Sequence, residues 1–266
     1  MLKLRIISAL IFGPLILGMV YLGGIFYTLL LLTIANLGIY EYDNLLNRHG
    51  YNTPHFLNHL AVNLFLIVFY LELHVFMFPM MLLILFAYFI YILINVENKS
   101  YFDAAVSIFG VLYLSPLLGF LLILRMQPEG MIYLYCLLGG VWMHDTLAYF
   151  IGTKWGAHKF APSISPNKSV EGSLAGIVGT VLAFFLAVIL YPQLLSINPV
   201  EAVILGLGIA VFAQFGDLLE STFKRQIEVK DTSGIIPGHG GILDRFDSLI
   251  ITAPFVYYFF YLVKVI

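Results

Sequence analysis

Between Arg5 and Glu41 the chain carries no charged residue, and apolar stretches of spanning length recur toward the C-terminus. The hydrocarbon core of a bilayer takes about 20 apolar residues per helix. Only 11% of the residues are charged, against roughly 25% in a soluble domain. So few charges cannot cover a water-facing surface, which excludes soluble and disordered classes. The expected fold is an all-α polytopic transmembrane helix bundle.

The segment Ile6–Leu22 follows Lys3 and Arg5 and resembles a signal peptide. No clear small-residue cleavage site follows it, and Gly23-Gly24 leads into the next apolar run. It is expected to be a retained first helix. Nine spans are expected, at about 5–22, 25–45, 57–72, 75–95, 103–124, 130–152, 172–191, 198–220 and 248–264. Residues 1–125 form an N-terminal transmembrane part, and 126–266 a C-terminal catalytic part. The latter holds two long polar connections, 153–171 and 221–247.

With nine spans, 11 of the 13 Lys and Arg residues fall on the side that carries the N-terminus and both polar connections. The bias of basic residues toward cytoplasmic loops makes that side cytoplasmic. The expectation is therefore an integral protein of the cell (inner) membrane whose active site faces the cytoplasm. Cys136 is the single cysteine, so no disulfide forms within the chain and no Cys-based metal site exists. Net charge is −2, and no nucleic-acid partner is expected.

The polar residues of the spans carry the functional argument. Asp145 lies deep in the sixth span, Asp217 deep in the eighth, and Asp244 and Asp247 open the ninth. A carboxylate in hydrocarbon costs kilocalories per mole unless it faces a wet cavity or a partner. Four near one membrane face suggest a shared polar cavity. Gln214, Asp217, Ser221, Lys224 and Glu228 are spaced by three and four, which places them on one helix stripe bordered by Arg225. Beyond it, Gly234, Gly238, Gly240 and Gly241 with Pro237 break the helix. Such a turn lets backbone N–H groups point at an anion, with Lys224, Arg225 and Lys230 beside it as phosphate partners. In the first polar connection, Ser165, Lys168 and Ser169 precede a helix, a natural phosphate contact; a plain helix cap is the other reading.

Hard oxygen ligands select Mg²⁺, with a second metal ion compatible with the same carboxylates. Cations, carboxylates and a Gly-rich loop suit nucleotidyl or phosphoryl transfer, which needs positioning and charge neutralisation. His144 neighbours Asp145 but points away around the helix, so a packed or interfacial histidine is the simpler reading. Glu41 either serves the cavity or reaches the interface.

The residues from Ser221 to Asp247 read S-x-x-K-R-x4-K-D, then P-x-H-G-G-x-x-D-R-x-D, across 27 positions without departure. This resembles the signature of the phosphatidate cytidylyltransferase (CDP-diacylglycerol synthase) family. Trp142–Tyr149 and Ser165–Gly172 also resemble upstream motifs of that family, so the likeness covers roughly 142–250. The resemblance implies that a phosphate oxygen of phosphatidic acid attacks the α-phosphorus of CTP and pyrophosphate leaves. It implies metal-binding roles for Asp217 and Asp244, with Asp145 and Asp247 close by. Lys168, Lys224, Arg225 and Lys230 would hold triphosphate or lipid phosphate. His239, Gly240 and Gly241 would shape the nucleotide loop. Ser221, Asp231 and Arg245, within the same motif, are expected substrate contacts. The choice of CTP comes from the resemblance alone.

Two other readings stay open at this point. One is a related CTP-dependent nucleotidyl- or phosphotransferase acting on an ether lipid or polyprenol. The other is a transporter or ion channel, since intramembrane carboxylates also line ion paths; no two-half symmetry with paired broken helices is visible. Membrane enzymes of this size often pair, and a homodimer is carried as an expectation that no residue fixes.

Overall fold

The structure, a computed structural model, describes residues 2–94, 97, 100–236, 238 and 240–265. Among these, nine helices of sixteen residues or more lie where nine spans were expected. They are α1 (Leu2–Leu22), α2 (Gly24–Arg48), α3 (His55–Tyr70), α4 (Met77–Ile94), α5 (Tyr101–Met126), α6 (Gly130–Trp155), α7 (Val170–Leu190), α9 (Pro199–Gln226) and α10 (Leu243–Val265). The four-residue α8 (Pro192–Leu195) precedes α9. Among the described residues six segments qualify as membrane spans by length and apolarity: those of α2, α4, α5, α7, α9 and α10. The helix α3 is shorter, and α6 has the length but carries the polar run His144-Asp145-Thr146.

Side chains such as Phe56, Val75, Phe78, Leu83 and Leu190 are exposed. In water such a surface would drive association; against lipid tails it is the solvent-matched face. Only structures that satisfy their own backbone polar groups survive there, which accounts for the helical content.

The ends of helices are set by local chemistry. The α9 start is a capping box: Asn198 Oδ1 accepts from the amides of Val200 and Glu201 at 2.9 and 3.0 Å, and Glu201 Oε2 accepts from Asn198 N at 2.7 Å. Gly23, with φ +63°, turns α1 directly into α2. Arg125, at the end of α5, donates to the terminal α1 carbonyls of Val20 and Tyr21, as cations do at helix C-termini.

The chain forms two compact units, Met1–Met126 with Ile227–Arg245, and Gln127–Gln226 with Phe246–Ile266. The second polar connection was expected wholly within the C-terminal part; from Ile227 it belongs to the first unit. In that unit α2, α3 and α5 enclose a core of Leu66, Leu118 and Leu122. Inside it Asn58 donates to Asp43 Oδ1 at 2.7 Å, and Tyr88 donates to Asn58 at 2.6 Å. The second unit packs α7 against both α6 and α9. A Cβ on Gly206 of α9 would stand 2.9 Å from Val181 Cα of α7, so the backbones approach as small residues allow. Tyr133 of α6 stacks on Phe260 of α10, ring centres 3.7 Å apart.

Replacing Gly206 by Leu is expected to destabilise the second unit by about 2 kcal/mol through overpacking. Thermal melts in detergent check this; an unchanged midpoint would mean that α7 and α9 do not meet at this residue.

Candidate active site

The first polar connection is not a plain loop. Lys159–Ala161 (β1) and Ser165–Ser169 (β2) pair antiparallel, with Lys159 opposite Ser169 and Ala161 opposite Ser165. Glu171, in the first turn of α7, fastens the hairpin to the helix. It accepts from Ala157 N at 3.1 Å and His158 N at 3.2 Å, and its Oε1 lies 2.6 Å from His158 Nδ1. Ser169 is the α7 N-cap, its Oγ accepting from Gly172 N at 3.2 Å. The two readings of that segment thus divide: Ser169 caps, and Lys168, one residue earlier, is aimed across at α9. There its Nζ pairs with Asp217 Oδ2.

This ion pair borders a cavity of about 510 Å³ in the second unit. Asp145, Ser173, Gln214 and Lys159 also line it, and Ser173 Oγ donates to Gln214 Oε1. His144 lines the cavity from α6 and is buried. A Cβ on Gly176 of α7 would come 2.6 Å from its Nδ1, so the imidazole is packed against a bare glycine. The wall therefore combines cation, carboxylate, hydroxyl and amide in one recess, a set that can bind a phosphate-bearing ligand.

Along α9 the polar stripe continues. Ser221 Oγ donates to Asp217 Oδ1 at 3.3 Å, and Lys224 Nζ pairs with Glu220 Oε1 at 3.3 Å. Glu220 is only 3% exposed and Asp247 of α10 9%. Asp247 interacts with Asp217, Glu220 and Lys224. The approach is close because Gly216 leaves room: a Cβ there would stand 2.6 Å from Asp247 O. Arg225 is exposed and its Nε donates to Ile164 O at 3.0 Å, which ties it to the hairpin turn; Ser165, half-buried, opens β2 directly after it.

The remaining candidates lie in the first unit. Asp244 Oδ2 accepts from Thr232 N (2.8 Å), Thr232 Oγ1 (2.9 Å) and Gly241 N (2.8 Å). Gly240 adopts φ +85° and bridges to Ile236, whose N donates to Gly240 O at 2.9 Å. Lys230, Asp231 and Arg245 are exposed. His239 and Pro237 lie outside the described residues. Of the four carboxylates, Asp145, Asp217 and Asp247 are thus in the second unit and Asp244 in the first. Among the described residues no group of three or more His, Cys, Asp or Glu side chains stands at metal-holding distances.

Glu220 is a carboxylate of the α9 stripe that the sequence motifs do not mark. Glu220 lies three residues after Asp217 and four before Lys224, a spacing that puts all three on neighbouring turns. Glu41, expected either to serve the cavity or to reach the interface, is 1% exposed and accepts hydrogen bonds from residues 232, 233, 242 and 243 of its own unit. No spacing rule links positions so far apart.

Removing one member of a partly buried ion pair leaves a charge without its counterion. Lys168→Met is expected to lower the melting temperature, by about 1 kcal/mol of stability given the partial exposure of the pair. The double variant Lys168→Met/Asp217→Asn should recover part of that loss. Melts of the single and double variants check this, and a double variant no better than the sum of its parts would deny the pairing.

The sequence model of the cytidylyltransferase family matches residues 3–263. A phosphatidate cytidylyltransferase of Bacillus subtilis (strain 168) is 43% identical over 142 residues, 52% of this chain and 51% of that protein. Proteins of the same name from Staphylococcus saprophyticus and Staphylococcus aureus (strain COL) are 37% and 39% identical over 164 and 166 residues, 62% of each chain. The chain thus matches about half to three-fifths of the length of these relatives.

Proposed function

The chain belongs to the cytidylyltransferase family, and from that premise we propose that it is an integral membrane phosphatidate cytidylyltransferase. In the reaction a phosphate oxygen of phosphatidic acid attacks the α-phosphorus of CTP. The bond from that phosphorus to the β-phosphate oxygen breaks, and pyrophosphate leaves with the electron pair. The observation that carries this reading is the Lys168–Asp217 pair on the wall of the cavity. A lysine held at the end of a short strand and a carboxylate rising from an apolar helix are the two charge types that transfer between phosphates requires.

Lys168 acts as a point charge toward phosphate. Its neighbours Ser173 and Gln214 add neutral hydrogen-bonding groups along the same recess. Lys224, anchored by Glu220, lies two helical turns along α9 from Asp217 and extends the cationic stripe.

Mg²⁺ is commonly held by one or two carboxylates together with substrate phosphates and water. Asp217 and Asp247, carboxylates near enough to repel each other, are oxygen donors of the kind Mg²⁺ takes without a third protein ligand, and Asp145 lines the same cavity as Asp217. These residues would hold the ion, which would neutralise charge on the phosphates. The excess of Lys and Arg on the side of both polar connections supports a cytoplasmic site, where CTP is available.

The test is incorporation of radiolabelled CTP into lipid by the purified protein with phosphatidic acid. EDTA should abolish incorporation and Mg²⁺ restore it. Asp217→Asn should reduce it at least about a hundredfold, the scale of losing one strong electrostatic contact to the transition state. Full activity in Asp217→Asn, or without any divalent ion, would refute the assignment.

A further inference from the structure

The geometry points to Glu41 as the positioning residue of the loop that precedes α10, and through it of Asp244. Glu41 stands on α2, 191 to 202 residues upstream of the groups it holds. Its Oε1 accepts from Ser233 Oγ at 2.5 Å and from Ile242 N at 2.9 Å. Its Oε2 accepts from Leu243 N at 3.0 Å and from Thr232 Oγ1 at 3.2 Å. Both ends of the loop are thereby gripped by one carboxylate. The acceptor also supplies an N-terminal cap to α10, since the amides of Ile242 and Leu243 open that helix.

The grip reaches Asp244 by two routes. Thr232 Oγ1 lies within hydrogen-bonding distance of both carboxylates, 3.2 Å from Glu41 Oε2 and 2.9 Å from Asp244 Oδ2. Gly241 N donates to Asp244 Oδ2, and the same glycine packs its bare Cα on Glu41: a Cβ there would stand 2.8 Å from Glu41 Cδ. A buried carboxylate is costly unless every oxygen is occupied. Here the donors, Thr232, Ser233, Ile242 and Leu243, all come from the segment that leads into α10, so burial of Glu41 and the conformation of that segment require each other. Glu41 touches no proposed substrate group; it acts through Thr232, Gly241 and Leu243.

The test compares wild type with Glu41→Gln. The amide keeps one acceptor oxygen and turns an NH₂ toward a donor that the second oxygen accepted from. Two readouts are taken on the full chain in detergent. Hydrogen exchange at the amides of Ile242 and Leu243 should accelerate at least about tenfold, the loss of one charge-assisted bond, while exchange in α9 stays as in wild type. Turnover of CTP with phosphatidic acid per folded molecule should fall about tenfold. Unchanged exchange at 242 and 243 overturns the inference, and so does faster exchange with undiminished turnover. If Glu41→Gln does not accumulate, Ser233→Ala removes one bond to the same carboxylate. It should give faster exchange across 232–236 and about a threefold loss of turnover; no change in either overturns the inference. The turnover arm rests on the proposed function and on the metal-binding role that the family resemblance implies for Asp244. Should wild type lack CTP turnover, that reading fails, and the exchange arm alone decides whether Glu41 holds the loop.

Discussion

Glu41, Asp43, Asp217, Glu220 and Asp247 all project from long, predominantly apolar helices, where a carboxylate is costly unless it finds a partner or a wet recess. Each has drawn polar partners to itself. Asp43 takes Asn58 and His55; Asp217 takes Lys168 and Ser221; Glu220 takes Lys224; Glu41 takes the ends of a loop. The remaining architecture follows from satisfying these acceptors, because an unpartnered carboxylate would cost more than the whole marginal stability of a helix pair can offset.

The hairpin shows how such demands produce structure in a polar segment. Lys168 must reach α9, and a flexible tether would hold it there only at large entropic cost. The β1–β2 pairing, the Ser169 cap and the Glu171 clasp on His158 reduce that cost by fixing the strand on the start of α7. The same side chains that look like generic turn and cap residues therefore determine where the one cation of the pair points.

Glycine has a matching role between helices. At Gly206, Gly216 and Gly176 a Cβ would collide with backbone or with His144. Without side chains there, α6, α7, α9 and α10 come close enough for Asp247 to meet Glu220 and for His144 to be buried. Close backbone contact substitutes for the hydrophobic driving force that lipid surroundings do not provide.

The apolar runs, read alone, determined the helical fold class and the places of nine helices to within a few residues, because spanning length and backbone satisfaction leave a chain in lipid no other choice. The motif from Ser221 to Asp247 likewise made the family legible. Periodicity placed Gln214, Asp217, Ser221 and Lys224 along one helix face, since three- and four-residue spacings are a property of a single helix. Only tertiary structure decided that Lys168 meets Asp217, that Glu220 and Asp247 share a buried cluster, that Ser169 is a cap, and that Glu41 holds residues 232–243. These are pairings between distant segments. Sequence carries the donors and acceptors for them, but which ones meet depends on how helices and loops fold back on one another, and no local spacing encodes that.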